Sequence, residues 1–426
     1  MKRIFPSLSI PAAATLFVMA PALIAAQQSF TWEQVKSKFE TANPALKADA
    51  LGVDEMKAAE VTAYLRPNPQ FTVAADGTQI APNKGVWEPL SGTDVVPTLS
   101  YLHEREHKRE LRLESARQGT RIAASQHDDL KRTLEFTLRE AFVSTLQAKA
   151  VLDLAKTDLD YYDKIIAISR SRFKAGDIAQ IDLDRIELLR VQYEAEIQTA
   201  IVNLRTAKIQ LLQLLNDRTP VEQFDVTGAF DFAEDLKPLE EFRQTALDER
   251  PDLRAALESI QQAQTNHKLA TANGSADPTF SAWYTWNASN NNPNATQTLG
   301  ASVNIPLRIF DRNQGEKQRT LIDIDRDKQL SDATRAQVFS DVDSAYAQLE
   351  SNLVLLKPYK VQYKDQALRV RDMVTYSYEH GGASLVEFLN AQSDYRAVQL
   401  AYLQLIGSYL NSANELNLAV GREVIQ

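Results

Sequence analysis

Hydrophobic positions along this chain follow two different periods, and the change between them divides the sequence into elements. From Thr31 to about Leu65 and again from Pro251 to about Thr271 the pattern is helical, with Thr31 as a capping residue and Pro251 in a first turn. Each of these stretches is followed by two short segments with period 2. Phe71, Val73 and Ala75 alternate with Gln70, Thr72 and Asp76; Val95, Pro97, Leu99 and Tyr101 alternate with Asp94, Thr98 and Ser100. Later, Phe280, Ala282, Tyr284 and Trp286 share one face, and Leu299, Ala301, Val303 and Ile305 alternate with Thr298, Gly300, Ser302 and Asn304. Such alternation predicts strands with one apolar and one polar face, over about 70–76, 94–102, 279–287 and 297–306. The segments 77–92 and 288–296 are rich in Gly, Pro and Asn and read as loops.

After each strand pair the period becomes helical and stays so. Glu104 to Phe173 holds 70 residues without a proline, roughly 105 Å of helix. Leu134, Leu138, Ala141, Thr145, Ala148 and Leu152 open a heptad seam that runs on to Ile166. Past Gly176 a second seam, from Leu183 and Ile186 to Leu214, returns the chain as an antiparallel hairpin. Val338, Val342, Ala345 and Leu349 lead down a second time, with Pro358 expected to bend the helix, and Phe388, Tyr395, Tyr402 and Ile406 lead back from Gly381–Gly382.

These two halves are copies of one unit. Residues 172–183 align without gaps on 377–388, an offset of 205. In each block an aromatic (Phe173, Tyr378) precedes a glycine by three, and a carboxylate (Asp182, Glu387) follows that glycine by six. Asn68-Pro69-Gln70-Phe71 likewise matches Asp277-Pro278-Thr279-Phe280. The domain reading is therefore a unit at 27–220, a connector at 221–249 punctuated by Pro220, Gly228 and Pro238, and a second unit at 250–426.

Residues 1–26 carry Lys2 and Arg3 ahead of an apolar stretch ending in small residues, a secretory signal peptide with cleavage after Ala26. Pro6, Pro11 and Pro21 speak against a membrane anchor. No further apolar run is long enough for a membrane helix, and mean hydropathy is −0.33. A net charge of −9 argues against nucleic-acid binding, and the absence of cysteine removes disulfides, thiolate metal sites and thiol nucleophiles.

The strand segments have the length of tilted membrane-crossing strands, with Tyr101, Tyr284 and Trp286 suited to an aromatic girdle. Four strands do not close a membrane barrel, and an open edge in lipid is prohibitive, so the chain must oligomerise. Three copies give twelve strands, and their helical hairpins give a tube: a conduit.

At this point the sequence resembles the TolC-type outer-membrane efflux proteins, and its run Phe310 to Gly315 resembles their heavy-metal cation efflux branch. The marks are Leu65-Arg66-Pro67-Asn68-Pro69, Arg172-Phe173-Lys174-Ala175-Gly176, Arg250-Pro251-Asp252-Leu253 and the run Ile305 to Gly315 (IPLRIFDRNQG), in order across the mature chain. The resemblance implies a mainly α protein with membrane β: a homotrimer with a 12-stranded barrel in outer-membrane lipid on a periplasmic α-barrel. The connector would lie in a mixed equatorial region. It implies a passive exit duct, without cofactor, served by an inner-membrane transporter and a periplasmic adaptor protein that docks at the hairpin turns, here Lys174, Gly176, Asp177, Gly381 and Gly382. It places a periplasmic gate at Glu387, Asn390, Asp182 and Tyr378, where Asn390 replaces a second acid and Ala383 replaces a basic partner for Asp182. A type I protein-secretion duct and a soluble coiled-coil adaptor are the other readings; the paired strands oppose the latter.

One enzyme motif is present: His103-Glu104-Arg105-Glu106-His107 fits H-E-x-x-H, the zinc-protease helix. It follows a strand pattern and sits in a charged run, so it reads as a strand-to-helix junction. His127, His267 and His380 are scattered, and the sequons at Asn287 and Asn294 carry no weight in a bacterial outer membrane.

Overall fold

The computed structural model describes residues 28–286 and 294–425. The signal peptide, the sequon residues Asn287-Ala288-Ser289 and part of the 288–296 loop lie outside them. A short parallel pair, β1 (Gln28–Phe30) and β4 (Phe224–Val226), ties the start of the chain to the connector.

The first helical stretch is two helices, not one. α1 (Trp32–Ala42) starts at a reciprocal capping box between Thr31 and Gln34. α2 (Pro44–Tyr64) starts afresh from Asn43, whose side chain accepts the Leu46 amide at 3.0 Å. Pro44 forces the break: it has no N–H and pushes Asn43 out of the helical region, to ψ 121°.

The strands fall where period 2 put them. β2 (Gln70–Asp76) and β3 (Asp94–Leu102) pair antiparallel, β3 pairs with β5 (Thr279–Trp286), and β5 with β6 (Gln297–Asn304), in the order β2-β3-β5-β6. β6 stops two residues short of the expected end at Pro306, which has no amide for the ladder.

α3 (Lys108–Ala175) is a single helix of 68 residues, roughly 100 Å long. It begins four residues later than the sequence pattern suggests. Glu106 and His107 hold left-handed backbone, φ 56° and 53°, which no helix continues. It ends at Gly176 (φ 86°) in a Schellman turn, with Asp177 N–H donating to the Arg172 carbonyl at 2.9 Å, and α4 (Gln180–Leu214) returns beside it. The connector then supplies β4 and α5 (Leu239–Glu249), followed by α6 (Pro251–Asn273). α7 (Gln314–Pro358) runs through a π-helical turn (Tyr359–Tyr363) into α8 (Lys364–Glu379). The turn follows Pro358, whose missing N–H interrupts the i→i−4 ladder. Gly381 (φ 76°) reverses the chain into α9 (Leu385–Val420). No described helix is long and apolar enough to cross a membrane.

Three clusters form the core. One joins α1, α3, α4 and β4 around Phe39, Leu138, Leu211 and Phe224. A second joins α5, α7 and α9 around Phe242, Leu349 and Leu416. The third lies at the far end of the hairpins and contains residues from α3, α4, α8 and α9.

Below the sheet, one carboxylate fastens the passage from α6 to β5 onto the passage from β3 to α3. Asp277, just ahead of β5, accepts the Arg105 amide at 2.9 Å and the buried Lys108 ammonium at 2.7 Å; Lys108 also donates to the Ser275 carbonyl. Burial pushes the Asp277 carboxyl up, but Lys108 and the Arg105 amide outweigh it and hold the carboxyl below its usual value. Lys108→Ala leaves that carboxylate without its cation and is expected to cost about 3–5 kcal/mol, read as a lowered Tm at pH 7. Because the native pKa is depressed, the stabilisation is present above the ordinary carboxylate pKa and is lost as pH falls through the native one. The gap between wild type and variant should therefore close in strong acid.

Candidate functional site

The sheet is built inside out relative to a soluble one. Register places Phe71, Leu99, Ala282 and Ala301 side by side on one face, with Val73, Pro97, Tyr284 and Leu299 in the next row. Apart from half-buried Pro97 these apolar positions are exposed: along β5 Phe280, Ala282, Tyr284 and Trp286 are open while Ser281, Trp283 and Thr285 are sheltered. Leu299 is 83% exposed and Phe71 70%. The opposite face carries Thr72, Thr98, Ser100, Ser281 and Ser302, with Trp283 lying across Gly300, where an added Cβ would sit 2.3 Å from the indole. β2 and β6 are edges that pair with nothing further within the described residues.

At the other end, the two helical hairpins meet at their tips. Lys174, Gly176, Asp177, Gly381 and Gly382 are exposed on the two turns. Arg172, one turn before Gly176, donates to the Tyr378 carbonyl and stacks its guanidinium 5.0 Å from the Tyr378 ring. Tyr378 is buried, stacked on Phe388 at 4.8 Å, and packs with Tyr162, Ile166 and Ile186 of the other hairpin. Glu387 is exposed and closes a capping box: its carboxylate accepts the Ser384 amide at 2.7 Å and the Ser384 hydroxyl at 2.8 Å. Those bonds hold its pKa below the usual range. Asn390 is exposed one turn further on, and Asp182 is half-buried near the start of α4. Among the described residues no hydrogen bond or ion pair joins Asp182 to the second hairpin. The tip is thus held by Arg172, Tyr378 and Phe388; Glu387 and Asn390 lie outside that cluster.

A polar cluster higher in the hairpins was not anticipated. Arg396 of α9 lies between Asp158 of α3, at 3.7 Å, and Glu196 of α4, with its guanidinium 5.3 Å from the Tyr193 ring. Arg371 of α8 sits between the rings of Tyr161 (4.7 Å) and Tyr395 (4.1 Å) and pairs with Asp372. Tyr161 donates to Thr375 at 3.0 Å, and Gln392 donates to the same hydroxyl at 3.2 Å. Burial pushes the Asp158 carboxyl up to about 6; Arg396 and Arg371 pull it down and Glu196 pushes it up. In the sequence these are ordinary charges beside a heptad seam. Only the pairing of four helices brings them together.

The H-E-x-x-H motif is not on a helix. His103 to His107 form the passage between β3 and α3, and Glu104 is held by Arg112 in a two-pronged ion pair. Among the described residues no group of three or more candidate ligands is arranged to hold a metal ion.

Residues 242–422, from within α5 to just past α9, match the family model described as outer membrane efflux protein. The chain is 22% identical over 394 residues to the cobalt-zinc-cadmium resistance protein CzcC of Cupriavidus metallidurans, covering 92% of this chain and 90% of that one. It is 23% identical over 314 residues to the pyoverdine export outer membrane protein OpmQ of Pseudomonas aeruginosa, covering 70% of this chain and 64% of that one. Its fold superposes on a crystal structure of CusC with a TM-score of 0.76 at 17% identity, over 98% of this chain and 99% of the other. The fold is that of an outer-membrane channel with a large periplasmic helical part. The second half of the chain is thus similar to outer membrane efflux proteins, and the whole chain shares the fold of solved outer-membrane channels.

The raised pKa of Asp158 sets a pH dependence. An acid whose folded pKa lies above its ordinary value stabilises the fold when protonated, and that contribution disappears as pH rises through about 6. Asp158→Asn, always neutral, should therefore be more stable than wild type at pH 7–8, by about 1–2 kcal/mol after solvent screening. The difference should vanish below about pH 4. Thermal unfolding of both proteins across that range checks it.

Proposed function

We propose that the protein is the outer-membrane exit duct of a tripartite efflux pump, and that it works as a homotrimer. The observation that carries this reading is the four-stranded sheet with an apolar exposed face and two edges that pair with nothing further within the described residues. In hydrocarbon those edges need partners, and two further copies supply them, making a 12-stranded barrel whose hydroxyl-rich face lines the lumen. On this reading the chain is exported by its signal peptide and is made of two repeats, 27–220 and 250–426, with 221–249 in the equatorial region. The six helical hairpins of the trimer form the periplasmic tube. An inner-membrane transporter supplies the energy, and a periplasmic adaptor docks at the exposed turns around Lys174, Gly176, Asp177, Gly381 and Gly382.

The periplasmic entrance is gated at Glu387, Asn390, Asp182 and Tyr378. Three copies of Glu387 make a ring of carboxylates that attracts cations and repels anions. The substrate class we favour is divalent transition-metal cations. The similarity to CzcC along nearly the whole of both chains supports it, as does the acidic balance of the chain, −9.

Purified protein in a planar bilayer should give cation-selective current. Glu387→Gln keeps the hydrogen bonds of the capping box and removes only the charge. It should raise open probability or move the reversal potential under a salt gradient toward zero; unchanged conductance and selectivity would remove Glu387 from the gate. Deleting the gene should lower cellular tolerance of cobalt, zinc or cadmium, and unaltered tolerance of all three would remove metal cations as the substrate.

A further inference from the structure

The passage from β6 to α7 exposes four large apolar side chains in six residues: Ile305 (53%), Leu307 (79%), Ile309 (61%) and Phe310 (90%). They continue directly from the apolar face of β6, where Leu299 and Val303 are also exposed. Arg308 and Arg312 are interleaved with them and exposed. The passage is built rather than slack. Ile309 N–H donates to the Leu307 carbonyl, Gln314 donates to the Phe310 carbonyl at 3.1 Å, and Arg312 N–H donates to the Gln314 side chain at 2.8 Å. Asn313 ties the passage to the Ala270 carbonyl of α6 at 2.7 Å. The Arg312 carbonyl lies where a side chain on Gly274 would be, 2.6 Å from the position of its Cβ.

The counterpart between β3 and α3 differs in character. It reads His103-Glu104-Arg105-Glu106-His107 and is fastened through Arg105 N–H and Lys108 to Asp277. Apolar exposure at this level is thus confined to one of the two strand-to-helix passages.

We propose that residues 305–310 are a lipid anchor: Leu307, Ile309 and Phe310 enter the acyl boundary of the phospholipid leaflet facing the periplasm, with Arg308 and Arg312 at the level of its phosphates. The height of the sheet supports this. β5 has 8 residues, roughly 27 Å of strand and about 19–22 Å of height at the usual tilt, against an apolar band of about 25 Å. The passage supplies the missing few ångströms on the helical side. Within it the Ile309 amide is paired with the Leu307 carbonyl, and the Arg308 and Phe310 carbonyls accept from the Arg312 and Gln314 side chains, pairings of the kind that backbone near hydrocarbon requires. Interleaved arginines suit an anionic headgroup layer better than the surface of a second protein.

The inference rests on the membrane-barrel reading above, and one labelling experiment separates the two. The chain has no cysteine, so each variant carries a unique label. Spin labels at Leu307→Cys, Phe310→Cys, Leu299→Cys and Glu106→Cys, in full-length protein reconstituted into phosphatidylethanolamine–phosphatidylglycerol vesicles, are compared for collision with oxygen and with a water-soluble nickel chelate. Labels at 307 and 310 should behave as the label at 299 does: open to oxygen, with nickel collisions lost. Nickel collisions at 307 and 310 equal to those at 106 would overturn the anchor, as would protection from both reagents, which would mean burial against a neighbouring copy. Nickel collisions at 299 itself would overturn the membrane barrel, and the anchor with it.

Discussion

A backbone amide or carbonyl in hydrocarbon has no water to bond, and leaving one unpaired costs several kcal/mol. The architecture of this chain answers that cost. β3 and β5 have a paired strand on both sides, whereas β2 and β6 are edges that pair with nothing further within the described residues. In water such edges invite aggregation; in a bilayer they select for closure. Along β5 the apolar side chains face outward and the hydroxyls are sheltered, so the face that would be a core in a soluble sandwich is the exposed one here.

The helical part obeys different physics. Water surrounds it, backbone bonds are satisfied within each helix, and order comes from seams of buried side chains. Its two ends are finished unlike each other. Near the sheet a buried ion pair, Lys108 with Asp277, fixes where α3 departs. At the far end aromatic stacking between Tyr378 and Phe388, with Arg172 laid over the ring, joins two turns 205 residues apart in the chain. Between them, Asp158 and Glu196 flank one arginine, and the Asp158 carboxyl titrates near 6. Burial there holds the Asp158 proton more tightly than water would.

Local signals in the sequence predicted much of this. Period-2 alternation located β2 and β3 to the residue, because a strand with one lipid-facing side must alternate strictly. Gly176 and Gly381 marked the reversals, since both adopt positive φ. Where local chemistry competes with periodicity the reading slipped. Pro44 split a helical pattern that continues across it, and left-handed Glu106 and His107 delayed α3, although a glutamate does not favour that conformation.

By itself the sequence determined the four strands of the sheet, the long helical hairpins, their order and the apolar character of one strand face, because these depend on neighbours a few residues away. The tertiary structure decided which charges meet. Asp158 with Arg396, Lys108 with Asp277 and Arg172 with Tyr378 each join positions more than 160 residues apart. A charge beside a heptad seam looks the same whether it ends in water or against a buried arginine; only the packing of helix on helix decides between them.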